Sequence, residues 1–184
     1  DYGVLGDGIT DDTAAINNLI TTVSNAGGGV IFMPAGTYMI NAVYSASSGI
    51  MFKNNVFIEM DPEATIKVIP NSAAVYYTVR FPDTCTNAGI SGGKILGDVG
   101  YHTGTSGEWG IGIYVSGATD IYISDMDISY CWGDGIDIYR GTAGARQPGA
   151  VCVPRRGVQR ARLPLRAHRA RAGASAPSRR TGLH

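Results

Sequence analysis

Residues 109–115 read Trp-Gly-Ile-Gly-Ile-Tyr-Val, and residues 132–138 repeat the pattern as Trp-Gly-Asp-Gly-Ile-Asp-Ile, 23 positions later. A second match, between residues 87–95 and residues 120–128, is offset by 33 positions. Each coil of a solenoid stacks its apolar positions on those of the coil below, so a solenoid repeats its sequence every 20-odd residues or slightly more. A sandwich or a barrel has no reason to repeat at a fixed offset. The repetition therefore predicts a β-solenoid.

Short β-rich runs, punctuated by Gly, Asn, Asp and Pro, fill most of the segment 1–140. No helix pattern separates one run from the next, which excludes an ordinary sheet with helical crossovers. A further run, Val56-Phe57-Ile58, precedes the matching residues 88–90 by 32 positions. The sequence is therefore that of an all-β protein. The runs are residues 30–33, 37–40, 56–60, 65–69, 121–123 and 135–138.

One strong helix pattern precedes the strands, from Thr10 to Ala26. Thr10 can serve as the N-cap residue, and two aspartates follow in the first turn, where the helix dipole favours negative charge. Three consecutive glycines, residues 27–29, end the helix. A short helix with one narrow apolar stripe must lie on something apolar. The stripe consists of Ile16, Leu19, Ile20 and Val23.

The formal charge is divided between two segments of different composition. Residues 1–140 hold all fifteen acidic side chains against three Lys and two Arg, whereas residues 141–184 hold ten Arg and no Asp, Glu or Lys. The second segment has no apolar periodicity. We interpret it as an out-of-frame ending, which would leave the solenoid truncated. The alternative is a disordered basic arm that binds nucleic acid or an acidic polymer, but the segment lacks interleaved aromatic residues, so we do not expect a nucleic-acid partner.

Three cysteines, Cys85, Cys131 and Cys152, have neither the spacing of a zinc site nor that of a disulfide framework. We predict that they are buried as small apolar residues. No run of 18 apolar residues is present, so we expect no membrane span. No signal peptide is visible, but the sequence opens directly on Asp1, which leaves the compartment undecided.

Two segments carry a family resemblance. Residues 1–16, Asp-Tyr-Gly-Val-Leu-Gly-Asp-Gly-Ile-Thr-Asp-Asp-Thr-Ala-Ala-Ile, and residues 27–38, Gly-Gly-Gly-Val-Ile-Phe-Met-Pro-Ala-Gly-Thr-Tyr, resemble the opening of the pectate-lyase-like superfamily. The resemblance covers about residues 1–140. It implies a right-handed parallel β-helix whose open N-terminal end is capped by the helix. It also implies a polysaccharide partner and favours an extracellular or virion location.

The repeat that begins at Trp109 brings two carboxylates together. If the Ile side chains of residues 109–115 point inward, alternation turns Tyr114 outward and places Asp137 above it in the next coil. Asp134 lies at the turn into that strand, between two glycines. Two neighbouring carboxylates, one protonated and one ionised, are what acid–base cleavage of a glycosidic bond needs. We predict Asp134 and Asp137 as the catalytic pair and Tyr114 as a substrate-binding residue; the alternative is that Gly-Asp-Gly is merely a turn.

Residues 98–107 lengthen one coil and contain no core pattern, so we expect a loop that projects from one face. His102 lies in this loop, and Glu108 and Trp109 follow it. We predict that His102 and Glu108 support the catalytic pair and that Trp109 offers a surface to a sugar ring. The alternatives are a solvated histidine and a Trp109 that stacks on Trp132.

The subfamily stays open. Residues 133–137 resemble the segment that carries the catalytic Asp of alginate epimerases, although Tyr139 stands where those enzymes have a His. The polygalacturonase pattern of adjacent aspartates followed by a Gly-His-Gly is absent from the sequence. Pectate lyases use a basic side chain as proton acceptor, for which Arg140 is the nearby candidate, and we assign it to substrate binding. They also bind calcium, but these residues offer no clear site of six to eight oxygen ligands. We therefore predict no metal and no cofactor, with calcium as the alternative left open.

These features favour a polysaccharide-degrading enzyme, a glycoside hydrolase or a polysaccharide lyase, that acts on an acidic or complex glycan. Fold alone does not choose among the activities of the superfamily. The alternative is a non-catalytic structural or glycan-binding β-helix, such as a phage tailspike or a surface-fibre segment. A tailspike-like protein would imply a homotrimer.

Overall fold

The computed structural model describes residues 2–139, which form one helix and thirteen short strands. The helix is α1 (Thr13–Asn25). The strands are β1 (Asp7–Asp11), β2 (Gly29–Met33), β3 (Gly36–Ile40), β4 (Ser48–Met51), β5 (Val56–Met60), β6 (Ala64–Val68), β7 (Val75–Phe81), β8 (Thr86–Ser91), β9 (Lys94–Leu96), β10 (Trp109–Ser116), β11 (Thr119–Ser124), β12 (Asp127–Ser129) and β13 (Ile136–Tyr139).

The strands form three sheets, and successive strands visit the sheets in rotation. Sheet one has the order β1-β3-β6-β9-β12, sheet two the order β4-β7-β10-β13, and sheet three the order β2-β5-β8-β11. Every pairing between strands of the described residues is parallel. From β5 onward each strand therefore lies directly above the strand that precedes it by three in the chain. This is the right-handed parallel β-helix that the sequence predicts.

The repeat offsets read from the sequence are the offsets between stacked rungs. Ile113 pairs with Ile136, its counterpart in the repeat that begins at Trp109. Ile90 pairs with Ile123 on the rung above and with Ile58 on the rung below, as the other two sequence matches require. The predicted vertical stacking is confirmed in each case.

The core is a column of aligned apolar side chains, one ladder from each sheet. Because the side chains of a strand alternate between its two faces, one residue in two points into the coil and meets its counterpart on the next rung. Burying these side chains is the main stabilising contribution, roughly 1.5–3 kcal/mol for each large apolar residue. The ladders are Tyr38-Ile66-Ile95-Ile128 in sheet one, Ile50-Val79-Ile113-Ile136 in sheet two, and Ile31-Ile58-Ile90-Ile123 in sheet three.

Helix α1 begins at Thr13 and not at the predicted Thr10, which belongs to strand β1. The carboxylate of Asp7 accepts hydrogen bonds from the backbone N–H and the hydroxyl of Thr10, at 2.7 and 2.9 Å. These local bonds to Asp7 compete with helix formation at Thr10. The buried Asp12 precedes the helix, but its carboxylate reaches back to the N–H groups of Leu5 and Gly6 instead of capping it.

Helix α1 covers the N-terminal end of the β-helix, as predicted. It packs against β2, β4 and β5, and its Ile16 and Ile20 are fully buried in the core. The helix ends where Gly27 and Gly28 adopt φ angles of 102° and 108°, a region that glycine enters without steric cost. The N–H of Gly28 donates to the carbonyl of Val23 at 2.9 Å, which closes the last turn.

Three further expectations concern cysteines, membranes and the tail. Cys85 is buried, Cys131 is partly buried, and both are free; burial raises the pKa of each thiol to about 11. No helix within residues 2–139 is long and apolar enough to cross a membrane. Cys152, Arg140 and residues 141–184 lie outside the described part of the chain, so the predictions made for them stay predictions.

Candidate functional site

A ladder of outward-facing side chains crosses sheet two. Met51 pairs with Arg80, Arg80 with Tyr114, and Tyr114 with Asp137, so the four residues occupy successive rungs. Neighbouring rungs are about 4.8 Å apart. Arg80 and Asp137 are therefore two rungs apart, roughly 10 Å along the helix axis. The structure confirms the predicted position of Asp137 above Tyr114 and adds Arg80 below.

Arg80 lies against two aromatic rings. The rings of Tyr77 and Tyr114 stack at 4.2 Å with an angle of 10° between their planes. The Arg80 guanidinium carbon lies 5.6 Å from the Tyr77 ring centre and 6.0 Å from the Tyr114 ring centre, within the range of cation–π attraction. Arg80 is the one arginine of residues 2–139.

The Arg80 guanidinium lacks an anionic partner in the described part of the chain. Its Nε is buried and makes no hydrogen bond there. The ion pairs found among the same residues are Lys94–Glu63 and His102–Asp98, and neither involves Arg80. A buried donor without an acceptor costs about 1–3 kcal/mol, so the contacts among the described residues do not fully satisfy the Arg80 side chain.

Asp137 has an environment that favours its protonated form. Burial raises the pKa of Asp137, and the negative charge of Asp134 raises it further. The turn that carries Asp134 is fixed to strand β10, because the Gly112 N–H donates to the Asp134 carbonyl at 3.0 Å and the Ile113 N–H donates to the Gly135 carbonyl at 2.9 Å. The predicted pair is therefore brought together, and one member is partly buried while the other is exposed.

Tyr77 shares the same electrostatic environment. Burial raises the pKa of its phenol, the neighbouring Tyr114 and Asp137 raise it further, and Arg80 opposes them. Because these charged and aromatic groups act on one another electrostatically, Tyr77 and Arg80 belong to the same site as Tyr114 and Asp137. Neither Tyr77 nor Arg80 was predicted from the sequence. Strand β7, which carries both, has no counterpart among the repeats that revealed the other rungs.

We expected the loop of residues 98–107 to project from one face and to carry His102 with it, and the structure differs. The His102 side chain has no exposed surface, and its Nδ1 lies 3.0 Å from a carboxylate oxygen of Asp98, whose side chain is equally inaccessible. Asp98 also accepts hydrogen bonds from the Tyr76 hydroxyl and from the backbone and side-chain nitrogens of Asn71. The loop is folded down because these buried polar groups anchor it to the preceding coil.

The imidazole of His102 stacks on the indole of Trp132, with ring centres 4.3 Å apart and planes 22° apart. The Trp132 indole N–H donates to the carbonyl of Gly107 at 2.5 Å. Within residues 2–139, Trp132 has no ring contact with Trp109, so the alternative of two stacked tryptophans is wrong. No sequence pattern indicates that Asp98 and Trp132 enclose the histidine.

Glu108 and Trp109 lie at the start of strand β10 and are exposed, Trp109 by 55%. Trp109 pairs with Val75 on the rung below, and its exposed ring is available to a ligand. The supporting role of Glu108 and the sugar-binding role of Trp109 stay predictions.

No group of three or more His, Cys, Asp or Glu side chains in the described part of the chain is arranged to hold a metal ion. The carboxylates of Asp134 and Asp137 alone fall short of the six to eight oxygen ligands of a calcium site. The predicted absence of a metal and of any other cofactor stays a prediction.

Comparisons with known proteins extend these observations. The family model described as "Rhamnogalacturonase A/epimerase, pectate lyase-like" matches residues 1–76. Over 149 residues the chain is 38% identical to the uncharacterized protein YclG of Bacillus subtilis. The match covers 74% of this chain and 25% of YclG. It is 30% identical over 152 residues to the mannuronan C5-epimerase AlgE4 of Azotobacter vinelandii, covering 77% of this chain and 27% of the epimerase.

The solved structure of the A-module of the same epimerase is similar to this chain, with a TM-score of 0.66 and 28% sequence identity. The similarity covers 77% of this chain and 40% of the A-module chain. The chain thus spans about a quarter of the length of the two curated relatives.

Proposed function

The chain belongs to the pectate-lyase-like superfamily of right-handed parallel β-helices, and from that membership we propose that it is part of an enzyme that cleaves an acidic polysaccharide. The proposed site is the outer face of sheet two, and the group it binds is a uronic acid. The observation that carries the proposal is the Arg80 guanidinium, which forms no ion pair among residues 2–139 and whose buried Nε has no hydrogen bond there, on the same ladder as Asp137.

Arg80 is the proposed carboxylate-binding residue. A guanidinium is planar and presents a fork of donors that matches the two oxygens of a carboxylate. Residues 2–139 hold fourteen acidic side chains against four Lys and Arg, and Arg80 forms an ion pair with none of these carboxylates. The flanking rings of Tyr77 and Tyr114 hold the guanidinium in place and offer apolar surface to a sugar ring.

Asp137 is the proposed general acid and Asp134 the proposed general base. Burial and the charge of Asp134 raise the pKa of Asp137, which favours the protonated form that a general acid needs to protonate the leaving glycosidic oxygen. In hydrolysis, Asp134 would activate the water that attacks the sugar. In β-elimination, a base removes the proton beside the uronate carboxylate, the electron pair of that C–H bond forms a double bond, and the C–O electron pair leaves with the oxygen that Asp137 protonates.

Arg80 favours elimination over hydrolysis. The proton beside a carboxylate becomes removable only when the charge of the carboxylate is neutralised, since the transition state places further negative charge on the same group. Hydrolysis has no such requirement. The name of the AlgE4 relative, a mannuronan C5-epimerase, is consistent with a uronic acid polymer as substrate. An extracellular or virion location belongs to the same proposal.

The test is a panel of polysaccharides with two readouts. Uronate polymers and a neutral glucan are incubated with the full chain, and reducing ends and the ultraviolet absorbance of unsaturated products are both recorded. We expect cleavage of at least one uronate polymer with a rise in absorbance, and no cleavage of the glucan. Reducing ends without absorbance would replace elimination by hydrolysis, whereas cleavage of the glucan alone would reject the proposal.

The alternative of a non-catalytic glycan-binding β-helix makes a different prediction. It requires binding of a polymer without any new reducing end. Measuring affinity by calorimetry on the same panel therefore separates the two, because saturable binding without turnover by the wild-type chain would favour the alternative.

A further inference from the structure

His102 has one nitrogen without a partner. Its Nε2 is buried and makes no hydrogen bond to any described residue, while its Nδ1 contacts Asp98. Residue Gly104 covers this nitrogen: a Cβ added there would lie 2.6 Å from Nε2 and 2.7 Å from the carbonyl oxygen of Ser72. The histidine is therefore shut away from any substrate on the outer face of sheet two.

Asp98 determines the orientation of the ring. Four donors surround its carboxylate: the Tyr76 hydroxyl, two nitrogens of Asn71 and the Nδ1 of His102. A carboxylate that accepts this many hydrogen bonds acts as an acceptor only, so the Nδ1 of His102 is the donor in their contact. The ring is thus fixed at one edge by Asp98 and at one face by Trp132.

Trp132 connects this pair to the proposed site. It is followed by Gly133, whose N–H donates to the carbonyl of Gly110 at 2.8 Å, and then by Asp134. Cys131, directly before Trp132, lies within electrostatic range of both Asp98 and Asp134, since both carboxylates raise the pKa of its thiol after burial has done so. The buried pair and the carboxylate turn are therefore neighbours in space.

We propose that Asp98 and His102 form a positioning pair that holds Trp132 and, through it, the turn that carries Asp134 and leads into the strand of Asp137. This inference rests on the proposed function of that turn and assigns His102 a role other than the predicted supporting catalytic one. The inserted loop of one coil thereby determines where the carboxylates of the next coil lie. A shift of about 1 Å in such groups can cost on the order of 100-fold in rate, so a buried pair of this kind has a direct effect on turnover.

Two substitutions test separately the two contacts of Trp132, its stacking on the His102 ring and its hydrogen bond to Gly107. His102→Asn keeps a nitrogen donor for Asp98 but removes the ring beneath Trp132, and Trp132→Phe keeps a ring but removes the bond to Gly107. Tyr101→Ala is the matched control, since Tyr101 is in the same loop and 73% exposed.

The first readout is hydrogen exchange at the amides of Gly112 and Ile113, which donate to the carbonyls of Asp134 and Gly135. We expect faster exchange at these two amides in His102→Asn and Trp132→Phe, and wild-type exchange in Tyr101→Ala. This readout needs no turnover, so it tests the positioning pair even if the proposed function fails. Unchanged exchange at both amides in both variants would overturn the inference.

The second readout is the kinetic split on the polymer that the wild-type chain cleaves. We expect kcat of His102→Asn to fall on the order of tenfold to 100-fold with little change in KM, because the variant misplaces the acid and base without removing Arg80. Faster hydrogen exchange at the amides of Gly112 and Ile113 together with a wild-type kcat would also overturn the inference. If His102→Asn does not fold, Trp132→Phe, which retains the core volume better, decides the same question.

Discussion

Asp137 lies directly above Tyr114 in the parallel register of strands β10 and β13, on the outer face of the β-helix. Because Tyr114 in turn lies above Arg80, three successive coils each contribute one side chain to a single vertical line. A polymer that binds along this line meets a cation, an aromatic ring and a carboxylic acid in that order.

Asp137→Asn should abolish turnover without harming the fold. General acid catalysis typically contributes 10²–10⁴-fold, so we expect a loss of kcat of at least about 100-fold. The raised pKa of Asp137 means that its ionised form is disfavoured in the folded state, so the uncharged Asn should unfold at the same or a slightly higher temperature at neutral pH. Asp125→Asn, on the coil below, is the control: Asp125 is exposed and has φ 53°, which Asn tolerates. Full activity of Asp137→Asn would remove Asp137 from the site.

Asp134 should control the pH range in which the enzyme works. Burial and the charge of Asp134 raise the pKa of Asp137 above its ordinary value of 3.8. An activity that needs protonated Asp137 is complete below the raised pKa and is lost as the pH rises through it. Asp134→Glu keeps the charge, and Asp134→Asn removes it and so lowers the pKa of Asp137.

Asp134→Asn also lacks the proposed general base, so only its residual activity can be followed, and the alkaline limb of that residual kcat should lie at lower pH than in the wild type. In Asp134→Glu the limb should stay near its wild-type position. Both profiles are measured on the same uronate polymer. A limb that does not move on removal of the charge would show that Asp137 is not the group titrated.

Arg80→Gln should weaken binding of uronate polymers. A hydrogen bond to a charged group contributes about 1.5–3 kcal/mol, which corresponds to a rise in Kd of roughly 10- to 100-fold. Arg80→Lys keeps the charge but not the planar fork, so its Kd should lie between those of the wild type and Arg80→Gln. Thermal unfolding should change little, because Arg80 Nε has no hydrogen bond to lose within residues 2–139. Equal affinity of all three proteins for the polymer would exclude Arg80 as the carboxylate-binding residue.

The β-helix could be predicted because its stacking leaves a direct mark on the sequence. Ile113 and Ile136 fill the same layer of the core, so the same residue type recurs at the offset of one coil. The start of helix α1 could not be predicted in the same way. Whether Thr10 caps a helix or joins a strand depends on its bond to Asp7 and on the pairing of β1 with β3, which is tertiary structure.

The candidate site was only partly predictable for a related reason. Tyr114 and Asp137 were found because the repeat that contains them also contains the core isoleucines. Arg80 lies on strand β7, which matches none of the sequence repeats. Arg80 is notable because its Nε has no hydrogen-bond partner among residues 2–139, and a sequence does not reveal such an absence. The burial of His102 depends on Asp98 and on Trp132, which belongs to the next coil of the chain.

Gly112 should be required for the coil that carries the carboxylates to stack. A Cβ at this position would lie 2.6 Å from the carbonyl oxygen of Gly135 and 2.9 Å from the sulfur of Cys131, so the two coils approach too closely for any side chain. Gly112→Ala must push the turn of Asp134 outward, since backbone atoms cannot move aside as a flexible side chain can. Overpacking of this kind costs about 1–3 kcal/mol.

Gly100→Ala provides the matched control, because nothing lies within 4 Å of a Cβ at that position. Thermal unfolding followed by circular dichroism should show a lower midpoint for Gly112→Ala and an unchanged one for Gly100→Ala. Activity should fall further in Gly112→Ala than the loss of folded protein explains, because the same displacement moves Asp134 and Asp137 relative to Arg80. If Gly112→Ala unfolds at the wild-type temperature, the close stacking of these two coils is wrong, and the register that places Asp137 above Tyr114 is wrong with it.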